Sequence, residues 1–519
     1  MNKNIVPLGS RYISYLSVIP LFASLAFSGL AFAQDEEAAS EGVLEEVIVT
    51  ATKRAENLQD VPLSIATLSG ENLESIFEGG EDILALSGRV PGLYAESSNG
   101  RAAPRFYLRG LGNIDFDLAA SQPVSVIMDE VVMENVVLKS FPIFDVAQVE
   151  VIRGPQGTLF GRNTTAGIVK FNSRRPTQET NGYFSGSYGT YATRNFEAAA
   201  GGSLVEDVLS TRVSVFYQGR DNWINNGFTE EEDVMGQFTE MAGRVQLMWT
   251  PSENFTALLS AQARDLDGTA SIFRANVFDT GSNKLNQNYK RDTVYYDGGD
   301  NNPQGYKGSG YTLNLEWGLA NTTLTSITSY QEGEGFSRGD IDGGVVDFSG
   351  TATVPPGITF DPAAPVFGFP TLTFPGTITV PSVTQDGADT DQFTQEIRLA
   401  SNTDGRLSWQ TGIFYFDSSL EVETESFASF GFGPVPQNTI VKHTNQAWAI
   451  FGQGNYDVTD QFSLIAGLRY TDDQRDYQVL QYGQLWLDLG IPPVAPVDVS
   501  ADKISWDLTA DYALDDNSS

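Results

Sequence analysis

The chain contains no cysteine and a single histidine, His443. Disulfide frameworks and thiolate metal centres are therefore excluded. A zinc or haem site built on imidazole would need unusual ligands. Basic residues are scarce too: 31 Lys and Arg stand against 66 Asp and Glu, for a formal net charge of −35. So acidic a chain gains nothing from long-range attraction to nucleic acid or to an anionic bilayer surface, and nucleic acid is excluded as a partner. Long apolar runs are the third absence. Beyond residue 33 no stretch of 18 consecutive apolar residues occurs, so no membrane-spanning helix is expected there.

What is present begins with an export signal. Lys3 and Arg11 give a positive start, residues 13–30 are mostly apolar, and Ala31-Phe32-Ala33 places small residues where a signal peptidase reads them. Acidic residues follow at once. This order marks residues 1–33 as a secretory signal peptide cleaved after Ala33. The competing reading is a membrane anchor, but Pro20 and Gly29 interrupt a run already near the lower limit for spanning. Loss of Lys3 and Arg11 leaves the exported chain still more acidic.

Three regions follow. Residues 34–58 are acidic and polar around one β-branched run, Val47-Ile48-Val49-Thr50, and read as a flexible tail. Residues 59–176 carry a compact mixed pattern. Strands are expected over 60–68, 106–109, 124–128, 149–153 and 168–171, and short helices over 71–77 and 81–86, with Gly and Pro between them. From residue 177 to 519 the period is two. Ile504, Trp506, Leu508, Ala510 and Tyr512 share one face of the last expected strand, while Ser505, Asp507, Thr509 and Asp511 share the other.

Similar stripes recur at Phe462, Leu464, Ala466, Leu468 and Tyr470, and at Phe255, Ala257, Leu259, Ala261 and Ala263. Glu396 and Arg398 put charges on a polar face, with Phe393, Ile397 and Leu399 opposite. Alternation over about ten residues, with aromatics near strand ends, is the pattern of a transmembrane β-barrel. A soluble β-sandwich also alternates. Export, the aromatic placement and a rhythm of short and long connections favour the barrel. Short connections at 457–460 and 402–406 suit the periplasmic side, and long ones at 267–309 and 333–391 the outer side. About twelve antiparallel strands are expected between Tyr183 and Tyr512. A barrel wide enough to hold a folded domain needs about 22, and an unpaired edge cannot stay in a bilayer. The chain as written is therefore expected to carry an incomplete barrel.

Within this frame the motifs resemble one family, the TonB-dependent outer-membrane receptors. The run Glu45 to Arg54, EEVIVTATKR, is similar to a TonB box. Val90-Pro91-Gly92-Leu93, Tyr107-Leu108-Arg109-Gly110, Val126-Ile127-Met128-Asp129 and the stretch from Val149 to Asn163, VEVIRGPQGTLFGRN, resemble landmarks of the family's α/β plug domain. Two departures are visible: Glu130 follows Asp129 where many relatives have Gly, and Ala166-Gly167-Ile168-Val169 replaces a more Gly-rich version. The resemblance implies a non-enzymatic importer without a cofactor, set in outer-membrane lipid. It implies that Glu46, Val47, Ile48, Val49, Thr50 and Ala51 pair with TonB, which ExbB–ExbD energises. Chemistry agrees: β-branched residues flanked by acids stay extended and soluble, and such a segment can add as a strand to another protein's sheet. The family's pattern also implies that Arg109 and Arg153 latch the plug to barrel glutamates.

The ligand is not legible. Family frequency favours a ferric siderophore, with cobalamin, haem and oligosaccharide behind it, and Arg101 and Arg105 near the plug apex are the expected ligand contacts. A passive channel or an adhesin is the reading from a different class; it would not need the box. Phosphate-loop chemistry fails, because Gly110-Leu111-Gly112 lacks its third glycine and Gly154 to Asn163 lacks a Gly-Lys-Ser/Thr ending. Gly335-Phe336-Ser337-Arg338-Gly339 matches a hydrolase elbow, with His443 downstream, but no helix pattern follows it.

Overall fold

The computed structural model describes residues 46–513, except 78, 116, 276, 280, 299–300, 342, 345–381, 403–404, 429–434, 483–486 and 488–491. The cleavage site at Ala33 and residues 34–45 lie outside the described residues. After a β1–β2 hairpin (Ile48–Val49 and Glu56–Asn57), β3 (Ser64–Ser69) leads into helix α1 (Gly70–Phe77). A second hairpin joins β4 (Leu93–Glu96) to β5 (Arg105–Leu108). Then come β6 (Val124–Met128), β7 (Val131–Met133), β8 (Val146–Arg153) and β9 (Gly167–Ser173). The plug's main sheet has the order β3-β8-β9-β6-β7, with β6 and β9 parallel and the other pairs antiparallel.

Its core is fully apolar where strands face inward: Val124, Val149, Val151, Val169 and Phe171 are completely buried. Their β-branched and aromatic character is what stabilises short strands covered on both faces. The β6–β7 turn is two residues long, with Asp129 and Glu130 both left-handed at φ 48° and 73°. A hairpin of this kind normally takes Asn-Gly or Asp-Gly. Asp129 fits through its carboxylate, which accepts from the Ser173 amide at 2.8 Å and the Ser173 hydroxyl at 2.7 Å. Glu130 carries the strain of a side chain where glycine is at ease, on the order of 1 kcal/mol.

The rest of the chain builds the barrel wall. It runs through β10 (Asn181–Tyr188), β11 (Arg194–Val205), β12 (Leu209–Arg220), the short β13 (Ile224–Asn226) and β14 (Glu231–Met235), then β15 (Phe238–Ser252) and β16 (Phe255–Thr269). After the short β17 (Thr293–Val294) come β18 (Pro303–Gly318), β19 (Thr322–Asp340), β20 (Ser382–Ser401), β21 (Leu407–Ala428), β22 (Val435–Thr459), β23 (Phe462–Gln481) and β24 (Val497–Tyr512). Twelve of these form one antiparallel meander from β10 to β24, whose two edges do not pair with each other. The expected strand number and the open sheet are both present.

Outward positions are apolar and exposed, as at Trp506, Leu508, Leu468 and Ile450, while lumen positions such as Arg469, Phe451 and Glu396 are buried. Trp448 and Tyr456 bracket the apolar face of β22, roughly 27 Å apart along the strand at about 3.4 Å per residue. The strands are longer than the ten residues expected, up to 25 in β22. Beyond the outer aromatics the sheet continues with a polar outer face, at Asp417, Glu421 and Glu423 of β21. The anticipated loop at 267–309 shrinks accordingly to 270–302, and at the loop anticipated over 333–391 the strands reach Asp340 on one side and start at Ser382 on the other. Turns at 206–208, 253–254, 319–321 and 460–461 share one end of the sheet, and the long connections share the other.

The long connections are themselves folded in part. β13 pairs antiparallel with β14 and parallel with β17. Ile224, Met235, Val294 and Tyr296 make a separate buried core. The side-chain amide of Asn226 completes this unit: its Nδ2 donates to the Tyr296 carbonyl at 3.0 Å and its Oδ1 accepts the Tyr296 amide at 3.1 Å. The Gly335–Gly339 run lies inside β19, with Ser337 paired to Gln304 and Asp386. A nucleophile elbow needs a turn into a helix at this point, so the hydrolase pattern is a coincidence of strand composition.

The wall makes a testable prediction. Ile450 is outward between two aromatics, so Ile450→Arg should destabilise the folded barrel by about 2 kcal/mol. Urea titration of the protein refolded into lipid vesicles measures this. An unchanged midpoint would place β22 outside the bilayer.

Candidate functional site: the docked N-terminal segment and the plug–barrel seam

The β-branched run was expected in a free tail. Instead, residues from Ile48 to Leu58 are docked. Ile48 pairs with Asn57 and Val49 with Glu56. Val49 and Ala51 are fully buried, Ala51 against Ile127, Ile152 and Ile168 of the plug sheet. Ile48 is 45% exposed, Glu46 is exposed and Val47 half-buried. Burying a valine contributes about 1.5 kcal/mol, so the apolar grip alone is modest.

The polar grip is centred on Thr50. Its amide donates to both oxygens of Glu150 at 3.0 and 3.1 Å, and its hydroxyl to Glu150 Oε1 at 2.8 Å. Lys170 Nζ donates to the Thr50 carbonyl at 3.0 Å and to its hydroxyl oxygen at 2.7 Å. Glu150 on β8 and Lys170 on β9 stand directly opposite each other in the sheet, and both are 0% exposed. Hydrogen bonds to a buried charged group are among the strong ones, about 1.5–3 kcal/mol each. Glu130 closes the arrangement from the other side. It pairs with Lys170 and lies 3.7 Å from Arg398 of the barrel. Burial by itself would raise the Glu130 carboxyl, but Lys170, Arg398 and Lys53 outweigh it and hold it at about 2.

The next residues cross to the wall. Lys53 Nζ meets Glu396 of β20 at 2.5 Å and sits 5.0 Å from the Phe451 ring. Burial lowers this ammonium to about 8 against the pull of Glu396. Arg54 donates to the Ser401 carbonyl at 3.2 Å and to the Trp409 carbonyl, and Gln410 Nε2 donates to the Thr52 carbonyl at 2.9 Å. Ser401 and Trp409 flank the short β20–β21 connection, so the segment lies at the short-turn end of the barrel.

The expected latch differs. Arg109 and Arg153 each donate to Ser64 Oγ at 3.1 Å, within the plug. Arg109 is exposed at a left-handed turn position, φ 52°, and no ion pair to the barrel is found for either among the described residues. Other residues bind plug to wall, and with both polarities. Plug Arg162 meets Asp473 of β23 at 2.6 Å and plug Glu134 at 3.2 Å. Burial would raise the Glu134 carboxyl, yet Arg162 holds it down at about 2. Plug Asp145 receives Arg212 of β12 at 2.5 and 2.7 Å and the Ser214 hydroxyl. Gly161, at φ 74°, packs so close to the wall that a Cβ would fall 2.6 Å from the Arg469 guanidinium. That glycine is a close-approach point, as a plug turn against the wall requires.

The two arginines expected to meet ligand serve the structure. Arg101 is tied to Glu240 of β15 at 3.2 Å, to the Gly80 carbonyl at 3.1 Å and to Gln218, with its guanidinium 4.0 Å from the Phe238 ring. Arg105 is 0% exposed and donates to the Asp115 carbonyl at 3.0 Å. Arg105 is closed off from solvent, and Arg101 is half-buried with its guanidinium engaged. The residues missed in the sequence are Glu150, Lys170, Lys53, Asp145, Arg212 and Glu396. A signal existed for two of them: Glu150 and Lys170 are lone charges inside short apolar strands, and a buried charge needs a partner.

The Glu130 carboxylate gives a prediction with a sign. Its folded value of about 2 lies below the unfolded value, so its contribution is complete above about pH 4.5 and is lost as pH falls from there towards 2. A nitroxide at Ile48→Cys, unambiguous in a chain without cysteine, should stay immobile from pH 7 to 5 and become mobile below 4. Glu130→Gly relieves the left-handed backbone but leaves Lys170 and Arg398 without their counter-charge. It should free the label at pH 7 and lower the melting temperature, because Lys170 stays buried and charged and the strain relieved is smaller than the lost pairing. An immobile label in that variant would show that Glu150 holds the segment alone.

Comparison with known proteins agrees with this geometry. Residues 57–168 match the TonB-dependent Receptor Plug Domain and residues 249–519 match the TonB dependent receptor-like beta-barrel. The iron-regulated outer membrane virulence protein of Vibrio cholerae serotype O1 is 30% identical over 164 residues, covering 30% of this chain and 24% of that protein. The pesticin receptor of Yersinia pestis is 28% identical over 167 residues, 32% of this chain and 24% of that one. These matches span about a quarter of the length of the curated relatives. Among solved structures, the ferric yersiniabactin uptake receptor of Yersinia pestis superposes with a TM-score of 0.69 at 18% identity, covering 88% of this chain and 62% of that one. The siderophore receptor PiuA of Acinetobacter baumannii gives 0.63 at 14%, covering 89% and 64%. With a plug sheet pinned to a membrane-patterned wall and both family models matched, the chain belongs to the TonB-dependent receptors of the outer membrane.

Proposed function

We propose that this protein imports a ferric siderophore complex across the bacterial outer membrane, driven by TonB. The observation that carries the reading is the docking of residues 48–54, which touch the plug sheet through Thr50 and the barrel wall through Lys53 and Arg54. A segment that bridges both bodies can report on both. Ligand bound above shifts the plug, the Thr50 contacts weaken, and Glu46, Val47, Ile48, Val49, Thr50 and Ala51 become free to pair as a strand with TonB. ExbB–ExbD supplies the energy, and the plug then yields along its seam.

The cargo reading draws on two supports. Similar proteins include an iron-regulated outer membrane virulence protein, a ferric yersiniabactin uptake receptor and a siderophore receptor. The folded outer connections also set cations over aromatic rings: Arg291 lies 5.8 Å from Trp223, Lys290 5.4 Å from Tyr295 and Arg274 5.8 Å from Tyr289. Such pairs offer both charge and a flat face to an anionic chelate.

The test uses Val49→Pro in the full chain, which removes a strand donor from the box. Cells should bind an iron-labelled siderophore panel as before but accumulate it at least about tenfold less. Undiminished accumulation would mark a passive channel. If no ferric siderophore binds the unmodified receptor, the cargo assignment fails while the TonB coupling remains open to test with another bound ligand.

A further inference from the structure

The ties between plug and wall are unevenly spread. On β12 Arg212 holds Asp145, and on β15 Glu240 holds Arg101. On β20 Glu396 takes Lys53 and Arg398 faces Glu130, and on β23 Asp473 takes Arg162. Between these strands lie β16, β18 and β19, which are neighbours in the sheet. At the outer end of this sector Arg264 Nη1 donates to the plug's Ser140 hydroxyl. The rows below Arg264 bond only within the wall, as between the hydroxyls of Thr312 and Ser329 at 3.1 Å and from Gln331 Nε2 to Ser329 Oγ at 2.9 Å. No ion pair or hydrogen bond from those rows to the plug is found among the described residues.

The strand register sets out what the wall presents there. Ser260, Thr312 and Ser329 stand side by side in one row, and Gln262, Gly310 and Gln331 in the next. The plug meets them with Met128, Met133, Val137 and Leu138, side chains without a polar hydrogen. Two cavities, of about 30 and 20 Å³, lie along this contact, and Met133, Gln262 and Gln331 line both. In the smaller one Gln246 Oε1 and Asn314 Oδ1 are buried with no hydrogen-bond partner among the described residues.

Separation has a different cost at the two kinds of contact. Drawing Arg162 from Asp473, or Asp145 from Arg212, leaves buried charges without their counter-charges, which is the severe case. Along β16, β18 and β19 it exposes thioether and alkyl groups, a penalty that grows only with the area uncovered. Water that enters there meets hydroxyls and amides, to which it bonds nearly as well as protein does. It also supplies a donor to Gln246 Oε1 and Asn314 Oδ1, which lack one.

We propose that plug and wall part first along β16, β18 and β19, and that this sector opens the path by which a hydrophilic cargo passes the plug. Hydroxyls, primary amides and glycine backbone line its wall side, a match for a solute rich in hydrogen-bonding groups. Gln392 of β20 marks one boundary. Its side-chain amide accepts the Glu134 N–H at 3.0 Å and donates to the Val132 carbonyl at 2.6 Å, which holds the plug's edge strand β7 to the wall. The pair of Arg101 with Glu240 on β15 marks the other. The order of parting is a property of the seam alone, whereas the passage of cargo rests on the import reading above.

Single cysteines in this cysteine-free chain test the order of parting. Ser329 and Ala447 lie in one transverse row, through Thr394 and Phe416, and are 2% and 3% exposed. On the full chain in detergent, with urea below the unfolding transition, a thiol reagent should modify Ser329→Cys at least about tenfold faster than Ala447→Cys. Should Ser329→Cys fail to fold, Gln331→Cys in the adjacent row replaces it. Cross-links test the path. A Cβ at Gly333 would lie 3.7 Å from Val137 Cγ1, and one at Gly157 3.8 Å from Ser505 Cβ, both within disulfide reach. In cells, oxidised Val137→Cys with Gly333→Cys should cut accumulation of an iron-labelled siderophore at least about tenfold at unchanged binding, and reduction should restore it. Oxidised Gly157→Cys with Ser505→Cys should keep at least about half of the accumulation. Equal thiol reactivity, or faster reaction at Ala447→Cys, overturns the proposal. Normal accumulation through the Val137–Gly333 cross-link, or equal arrest by both cross-links, overturns it as well. If the unmodified receptor accumulates no siderophore, the import reading fails and the thiol comparison alone decides where the seam parts.

Discussion

A folded plug inside a membrane sheet imposes one constraint on everything else: charges on the lumen wall are out of water and must find their partners on the plug. The pair of Asp145 with Arg212 states the rule most clearly. Both side chains are at most 4% exposed, and Ser214 fills a further lone pair of the same carboxylate. Such a pair adds little net stability over apolar packing, but removal of one member is severe, because the other stays buried and charged. The seam therefore specifies position more than it supplies energy. Arg162 to Asp473, Arg101 to Glu240 and Lys53 to Glu396 repeat the device around the wall. Because the barrel offers carboxylates at Glu240, Glu396 and Asp473 but a cation at Arg212, a rotated plug would lose its pairs and could set like charges together.

The N-terminal segment exploits the same rule at smaller scale. Thr50 satisfies a carboxylate and an ammonium that face each other across β8 and β9. Undocking thus leaves two buried charges to each other and to water, rather than simply exposing a valine. The left-handed Glu130 belongs to this account. Its backbone strain is local, and its carboxylate offsets that strain by neutralising Lys170 and Arg398.

The fold was legible in the sequence where a local period reports a global environment. Alternation at Ile504, Trp506, Leu508, Ala510 and Tyr512 gave β24 its face, and Val124–Met128 was placed to the residue. Partners across the lumen were not legible, since the ion pairs of Asp145 with Arg212 and of Lys53 with Glu396 join residues 67 and 343 positions apart. Arg109 and Arg153 sit in motifs that resemble the family's, yet both close on Ser64. Arg105 was expected as a ligand contact near the plug apex; its hydrogen bond to the Asp115 carbonyl turns it inward instead. The tail read as free because its composition is acidic. Composition describes a segment alone, and Glu150 lies a hundred positions away.

The rim formed by β13, β14 and β17 has its own core and its own internal amide bridge at Asn226. Loops that are already ordered lose little conformational freedom when a ligand arrives. Were the proposed ligand to bind at this rim, recognition would be closer to lock-and-key than to folding upon binding, with a small heat-capacity change set by the contact area alone. Selectivity among ligands would then be expressed in how slowly each one leaves.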